Sequence, residues 1–148
     1  MVAGNTIHAT TIVIGAAAIL LRGASGTGKS SLGLELIRSA RLQHRFARLV
    51  ADDRTMLSVR AGLLVARPVP SIAGYIERRG LGLTPEPHLD AAIVGLVVDC
   101  LGKPPERMPE AEALTVKLEG VLLPRLAVHG QFSDVSLVEA AWQLMVGR

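Results

Sequence analysis

The chain of 148 residues has little cysteine, few aromatic residues and no long apolar run. Its single cysteine, Cys100, excludes an intrachain disulfide and favours a reducing compartment; we expect it to be a small buried residue near a strand end. Aromatic residues make up 3% of the chain and hydrophobic residues 49%, so Val, Leu, Ile and Ala must fill the core. Few aromatics and a net charge of only +3 argue against a base-stacking surface for nucleic acid.

Signals for membrane insertion and secretion are also missing. No apolar stretch reaches the ~20 residues of a membrane-spanning helix. The richest apolar window, residues 11–21, contains small residues and a glycine and indicates sheet core. Residues 1–10 lack the basic cluster that begins a secretory signal. We therefore expect a cytoplasmic protein without a membrane or nucleic-acid partner, folded as one domain over residues 1–148.

The most informative segment is residues 23–30, which match the phosphate-binding pattern G-x-x-x-x-G-K-[ST]. Its glycines let backbone amides turn inward to a phosphate, Lys29 can neutralise the β- and γ-phosphates, and the Ser30 hydroxyl can ligate Mg²⁺. A predicted strand at 18–21 and a predicted helix at 31–38 flank the segment, so the phosphates would lie at a helix N-terminus. The predicted phosphate-binding residues are Gly23, Ala24, Ser25, Gly26, Thr27, Gly28, Lys29 and Ser30.

A pair of carboxylates, Asp52 and Asp53, follows a second predicted core strand at 46–51. Acidic residues at such a strand end commonly face the phosphate loop across the carboxyl edge of the sheet. One carboxylate could hold Mg²⁺ or its water, and the other could accept the proton of an attacking hydroxyl. Without the phosphate loop, the same pair would most simply indicate a turn.

The remaining pattern consists mainly of strands. A turn at 60–62 separates two short predicted strands, and an apolar run at 91–98 indicates a central strand. Further strands are predicted at 114–118 and 126–128, and a terminal helix at 137–145 with Trp142 in the core. The predicted fold class is therefore α/β: a single P-loop domain with a mixed β-sheet.

Several motifs resemble those of one known family. Residues 49–53, LVADD, and residues 76–82, IERRGLG, are similar to the two central motifs of the catalytic domain of the HPr kinase/phosphorylase family. His8 resembles the histidine that precedes the phosphate loop in that family. Residues 106–108 and 124–128 resemble two later, less specific motifs. The chain is thus similar to the C-terminal catalytic domain of HPr serine kinases.

The resemblance implies an ATP- and Mg²⁺-dependent kinase that phosphorylates a serine of HPr, the phosphocarrier protein of the sugar phosphotransferase system. Lys29 and the loop amides would hold the phosphates of ATP, and Ser30 and Glu77 would ligate Mg²⁺. Taken alone, Glu77 beside two arginines could equally form a surface ion pair.

Four further residues receive catalytic roles from the same resemblance. Asp53 looks like the base that takes the proton of the serine hydroxyl, and Asp52 like its electrostatic or metal-side neighbour, although the sequence leaves the two assignments open. His8 would position or neutralise the transferring phosphate, and Arg107 would stabilise its charge. Taken alone, His8 would be an ordinary strand or turn histidine and Arg107 a solvated loop charge.

The chain also departs from the family pattern. It resembles short, α-proteobacterial members that lack the N-terminal domain of longer relatives. Residues 83–89 replace a Gly/Ala-rich segment that helps to bind the partner, and residues 129–134 replace a basic loop linked to the reverse, phosphorylase reaction. The first difference bears on how the partner docks, and the second argues against the reverse reaction. Because the family assembles through this domain as hexamers, we expect a homo-oligomer.

Two other functions fit the phosphate loop. A small-molecule kinase of the shikimate or gluconate type has the same loop and size, but it would be strongly helical with an arginine-rich lid. A non-catalytic nucleotide-binding module would bind ATP without transferring phosphate, so Asp53→Asn would leave its behaviour unchanged. Helix content and this substitution discriminate among the three functions.

Overall fold

In the computed structural model, residues 5–146 are described, and they contain ten strands and two α-helices. The strands are β1 (Asn5–Ile14), β2 (Ala17–Arg22), β3 (Ala47–Ala51), β4 (Arg54–Arg60), β5 (Leu63–Pro68), β6 (Tyr75–Arg78), β7 (Gly82–Pro85), β8 (Ala92–Cys100), β9 (Thr115–Leu118) and β10 (Val121–Val128). The helices are α1 (Lys29–Leu42) and α2 (Val135–Met145).

The two longest central strands, β1 and β8, each pair with several partners. The first half of β1 pairs with β4 and its second half with β2 and β3, all antiparallel. The strand β8 pairs with β5 near its start and runs parallel to β2 and β10 further on. Pairing thus closes a ring in the order β1, β2, β8, β5, β4. The strands β2, β3, β8 and β10 point the same way, so their carboxyl ends share one edge.

Aliphatic side chains form two cores, one on each face of β1 and β2. Alternate residues of a strand point to opposite faces. Ile19 and Leu21 of β2 therefore pack toward the helices, with Leu36 and Trp142, whereas Leu20 faces the interior of the ring. Trp142 is 5% exposed, which confirms its predicted place in the core. The helices thus cover one face of β1 and β2, and the interior of the ring lies on the other face.

Most of the predicted elements are confirmed, including the mixed sheet, the hairpin around residues 60–62 and the terminal helix. The apolar window 11–21 is not a single stretch of core, because Gly15, at φ 65°, turns the chain between β1 and β2. The hairpin of β6 and β7 was not anticipated, since its strands are only four residues long and pair with each other in a separate two-stranded sheet. Cys100 ends β8 and is 4% exposed, as expected; burial raises the pKa of its thiol to about 11.

A charged cluster connects β2, β8 and β10 close to the edge that their carboxyl ends share. Arg22 donates two hydrogen bonds to Asp99, of 2.7 and 2.9 Å, and Arg125 donates a third of 2.5 Å. Burial alone would raise the pKa of Asp99, but the two guanidinium groups outweigh it and hold that pKa below its ordinary value. Because Arg22 directly precedes Gly23, the cluster fixes the start of the phosphate-binding segment.

We predict that Asp99→Asn lowers the free energy of unfolding by about 1.5–3 kcal/mol near neutral pH, the cost of removing a charged hydrogen-bond acceptor. A depressed pKa in the folded state contributes stability above the ordinary value of 3.8 that is lost as pH falls through the folded pKa. Urea denaturation should therefore give a difference between wild type and variant that shrinks below pH 4.

The matched control is Asp90→Asn, whose carboxylate is 82% exposed. It should change stability by no more than about 0.5 kcal/mol. A difference for Asp99→Asn that stays constant down to low pH would show that the cluster does not stabilise the fold through its charge.

Candidate active site

The phosphate-binding segment lies at the carboxyl edge that β2, β3, β8 and β10 share. It begins at Gly23, directly after β2, and enters α1 at Lys29. The predicted order of strand, segment and helix is confirmed, although the helix begins two residues before the predicted range 31–38. Gly26 and Gly28 have φ of 85° and 90°, conformations that side chains disfavour, and Gly28 precedes the helix without a side-chain cap. The first amides of α1 are therefore not capped by a side chain and can receive an anion.

A cavity of about 140 Å³ opens above this segment, and we call it the phosphate cavity. Its lining residues are Ser25, Gly26, Gly28, Lys29, Ser30, Ser31, Asp53, Glu77 and Arg79. Lys29 is only 4% exposed; its ammonium donates to the carbonyl oxygen of Ala24 at 3.1 Å and lies 3.6 Å from a carboxylate oxygen of Asp53. The structure thus brings a buried cation and an acidic side chain to the same small space.

Asp52 does not line the phosphate cavity, and its side chain connects three parts of the chain. It is 7% exposed, and its Oδ1 accepts hydrogen bonds from the hydroxyls of Ser30, at 2.5 Å, and Thr10, at 3.0 Å. Its Oδ2 accepts from the backbone amide of Glu77 at 2.9 Å. One carboxylate therefore holds the phosphate segment, β1 and the β6–β7 hairpin in a fixed relation.

Asp53, unlike Asp52, lines the phosphate cavity, and its side chain is half-exposed. Its φ of 64° is rare for a residue other than glycine and costs on the order of 1–3 kcal/mol. Two contacts with β1 hold that conformation: the Asp53 amide donates to the Thr10 hydroxyl at 3.1 Å, and the Ala9 amide donates to the Asp53 carbonyl at 3.0 Å. The geometry thus separates two carboxylates that the sequence could not distinguish.

The β6–β7 hairpin carries Glu77 and Arg79 to the far side of the cavity. Arg78, between them, turns the other way and pairs with the buried Glu86 at 2.8 Å. Among the described residues Glu77 forms no ion pair, so the surface-pair interpretation does not hold. Arg79 was not predicted as a site residue. Its position within the IERRGLG motif is the sequence feature that could have indicated it.

Two predicted residues lie outside the phosphate cavity. His8 is exposed on β1, on the same strand face as Thr10 two residues further on. Arg107 is exposed in the loop after β8 and lines a separate groove of about 470 Å³ with Glu106 and Glu110. The structure therefore places Arg79, and not Arg107, as the arginine beside the phosphate segment.

The donor set of the cavity fits a magnesium ion held together with phosphate oxygens. Ser30 and Glu77 both present oxygen, the ligand that Mg²⁺ prefers, and the Ser30 hydroxyl donates its hydrogen bond to Asp52, which leaves its oxygen lone pairs free. Within residues 5–146, no three His, Cys, Asp or Glu side chains converge to hold a metal alone. A magnesium ion bound here would take its remaining oxygen ligands from water or from a phosphate.

The loop after β10 presses directly against the phosphate segment. A Cβ atom on Gly130 would lie 2.0 Å from the carbonyl oxygen of Thr27, and one on Gly28 would lie 2.0 Å from the carbonyl oxygen of Gly130. Atoms cannot approach so closely, so both positions require glycine. Gly130 is a further residue that sequence reasoning missed, because its contact is across the sheet edge.

We predict that Gly130→Ala lowers the free energy of unfolding by about 3 kcal/mol or more, because overpacking adds to the strain of its φ of 113°. Gly120→Ala is the matched control, since Gly120 has φ of 81° but nothing within 4 Å of an added Cβ. Conformational strain alone should cost this control about 1–2 kcal/mol. Equal losses for the two variants in urea denaturation would contradict a tight contact.

A phosphate-binding segment beside an acidic pair at the carboxyl edge of a mixed sheet is typical of α/β nucleotide-binding domains. The family model for the HPr Serine kinase C-terminal domain matches residues 1–85. Since this match covers more than half of the chain, the chain belongs to that family.

Individual relatives agree with this assignment. The HPr kinase/phosphorylase of Lactococcus lactis subsp. lactis (strain IL1403) is 40% identical over 80 residues, which are 53% of this chain and 24% of that protein. The HPr kinase/phosphorylase of Clostridium tetani is 32% identical over 99 residues, 62% of this chain and 30% of that protein. The chain thus spans roughly a quarter of the length of the curated relatives it matches.

A solved structure extends the similarity to nearly the whole domain. The Hpr(Ser) kinase/phosphatase from Coxiella burnetii matches with a TM-score of 0.72 and 26% sequence identity, covering 95% of this chain and 89% of that chain. The predicted fold class is therefore confirmed. Neither helix within residues 5–146 is long and apolar enough to cross a bilayer.

Proposed function

We propose that this domain transfers the γ-phosphoryl group of ATP to a serine hydroxyl of HPr or an HPr-like protein. The observation that carries the proposal is the position of Asp53, which faces Lys29 across the phosphate cavity at 3.6 Å. The names of the matched relatives, HPr kinase/phosphorylase, support HPr as the acceptor. The chain would act in the cytoplasm as a homo-oligomer, as the family resemblance implies.

Each cavity residue has a role in this reaction. Lys29 and the amides of residues 23–30 bind the β- and γ-phosphates, and Ser30 and Glu77 are suited to hold Mg²⁺. When bound there, the ion would supply positive charge against the phosphate oxygens. Arg79 lines the same cavity and can neutralise charge that spreads over the transferring group. His8 and Arg107 lie outside the cavity, so roles for them require the bound partner or another part of the assembly.

Asp53 is the residue suited to act as the base. In the transfer, the serine oxygen forms a bond to the γ-phosphorus, the bond from that phosphorus to the β–γ bridging oxygen breaks, and ADP leaves. The serine proton passes to the Asp53 carboxylate. Asp52 is fully engaged by Ser30, Thr10 and Glu77, so we assign it a positioning role. The forward reaction should dominate, because residues 129–134 lack the basic loop linked to the reverse reaction.

Transfer of labelled γ-phosphate to HPr tests the proposal. Wild-type protein with Mg²⁺ and ATP should label HPr but not HPr whose acceptor serine is replaced by alanine. Label on neither protein, with ATP binding intact, would favour a small-molecule kinase or a non-catalytic module. The ten strands and two helices of the described residues already make the strongly helical small-molecule class a poor fit.

Two substitutions should separate binding from chemistry. Asp53→Asn should keep ATP affinity and slow transfer by ~10²-fold or more, the usual size of a general-base effect. Lys29→Ala should lose ATP binding and transfer together, because the buried ammonium is the cation of the phosphate segment. Single-turnover rates and equilibrium titrations measure these effects, with Asp90→Asn as an exposed control. Unimpaired transfer by Asp53→Asn would make the base assignment wrong.

A further inference from the structure

Thr10, in the middle of β1, contacts both members of the acidic pair through one hydroxyl group. Its oxygen lies 3.0 Å from Oδ1 of Asp52 and 3.1 Å from the backbone nitrogen of Asp53. Among residues 5–146, no other side chain forms hydrogen bonds with both of these residues. The Thr10 side chain is 0% exposed, so solvent water does not reach it to replace either hydrogen bond.

The chemistry of the three groups fixes the direction of both hydrogen bonds. A backbone N–H can only donate, and an ionised carboxylate can only accept. The single proton of the Thr10 hydroxyl is therefore directed to Asp52, and an oxygen lone pair receives the Asp53 amide. Ser30 donates to the same Oδ1 atom of Asp52. A chain of hydrogen bonds thus connects the proposed base, Asp53, to a proposed magnesium ligand, Ser30.

Packing against α1 holds the Thr10 side chain in place. A Cβ atom built on Gly33 of α1 would lie only 3.3 Å from the Thr10 methyl carbon, so that methyl group lies close to the helix backbone. Threonine is branched at Cβ and has few χ1 rotamers. Since the methyl and hydroxyl groups share one Cβ, the contact with the helix and the hydrogen bonds to the acidic pair fix the same rotamer.

We propose that Thr10 is a positioning residue for phosphoryl transfer and acts through Asp53. Two contacts hold the backbone of Asp53 at its φ of 64°: its amide donates to the Thr10 hydroxyl, and its carbonyl accepts from the Ala9 amide. Without the hydroxyl one of these contacts is lost, and fewer molecules present the Asp53 carboxylate to the phosphate cavity. This inference rests on the proposed function, since it requires Asp53 to act as the base.

Thr10→Val tests this role, because valine has nearly the shape of threonine but no hydroxyl. Single-turnover transfer of labelled phosphate from ATP to HPr should slow roughly 10- to 100-fold, the range for a buried polar group left without its partner. ATP affinity should fall no more than about threefold, because Ser30 and the Glu77 amide still hold Asp52. Thr10→Ser restores the hydroxyl and should recover most of the rate.

The matched control is Thr11→Val. Thr11 is the next residue of β1 and is also 0% exposed, but its hydroxyl pairs with that of Thr55, at 2.8 Å, and not with the acidic pair. Because both variants lose one buried hydroxyl, urea denaturation should show similar losses of stability. The transfer rate of Thr11→Val should nevertheless stay within about twofold of wild type. If Thr10→Val does not fold, Thr10→Ala removes the same hydroxyl and gives the same test.

A double substitution shows whether Thr10 acts through Asp53. In protein that already carries Asp53→Asn, Thr10→Val should slow transfer no more than about threefold further, because the carboxylate that it positions is gone. A further loss as large as in wild-type protein would overturn the inference.

The other outcomes are equally distinct. Equal slowing by Thr11→Val, or no recovery in Thr10→Ser, would overturn the inference, since packing and not the hydroxyl would then set the rate. A loss of ATP affinity as large as the loss of rate would overturn it too, because Thr10 would then hold the phosphate segment. An unchanged rate in Thr10→Val, with HPr labelled by wild type, would overturn this inference alone. If wild-type protein labels no HPr, the proposed function fails and this inference fails with it.

Discussion

The carboxylate of Asp52 is the interaction on which the rest of the site depends. It is buried, and three hydrogen bonds converge on it from Ser30, Thr10 and the Glu77 amide. Burying a carboxylate without such partners would cost folding free energy. The three hydrogen-bonded segments therefore stabilise the charge, and the charge holds the three segments together. The phosphate segment is consequently aligned with β1 and with the hairpin that presents Glu77 and Arg79.

Adjacent carboxylates have different tasks because the backbone turns between them. Asp52 is buried and accepts hydrogen bonds from Ser30, Thr10 and the Glu77 amide, whereas the side chain of Asp53, at φ 64°, faces Lys29. The strain of that turn is offset by contacts with Ala9 and Thr10 of β1. The strained conformation therefore occurs at the residue that we propose acts as the base, and β1 serves as its support.

Much of this arrangement could be predicted from local sequence. A few neighbouring residues are enough to identify the phosphate-binding segment at 23–30, the apolar strands and the Asp pair. The separate tasks of Asp52 and Asp53 could not be predicted, because they depend on Thr10, some forty positions away. The place of Arg79 beside the phosphate segment and the need for glycine at position 130 likewise depend on residues that are distant in sequence. For Arg107, in contrast, a local motif indicated a catalytic role, but in the fold the residue lines a groove separate from the phosphate cavity.

Equilibrium binding of ATP and Mg²⁺ to Asp52→Asn and Asp53→Asn tests the central claim most directly. Asparagine can accept hydrogen bonds at only one of its two side-chain polar atoms. Asp52→Asn should therefore lose some of the hydrogen bonds from Ser30, Thr10 and the Glu77 amide, and the affinity for ATP should fall roughly 10- to 100-fold. Asp53→Asn should bind as tightly as wild type, because its carboxylate faces the phosphates without holding the segment. Wild-type affinity in Asp52→Asn, or equal losses in both variants, would contradict the account.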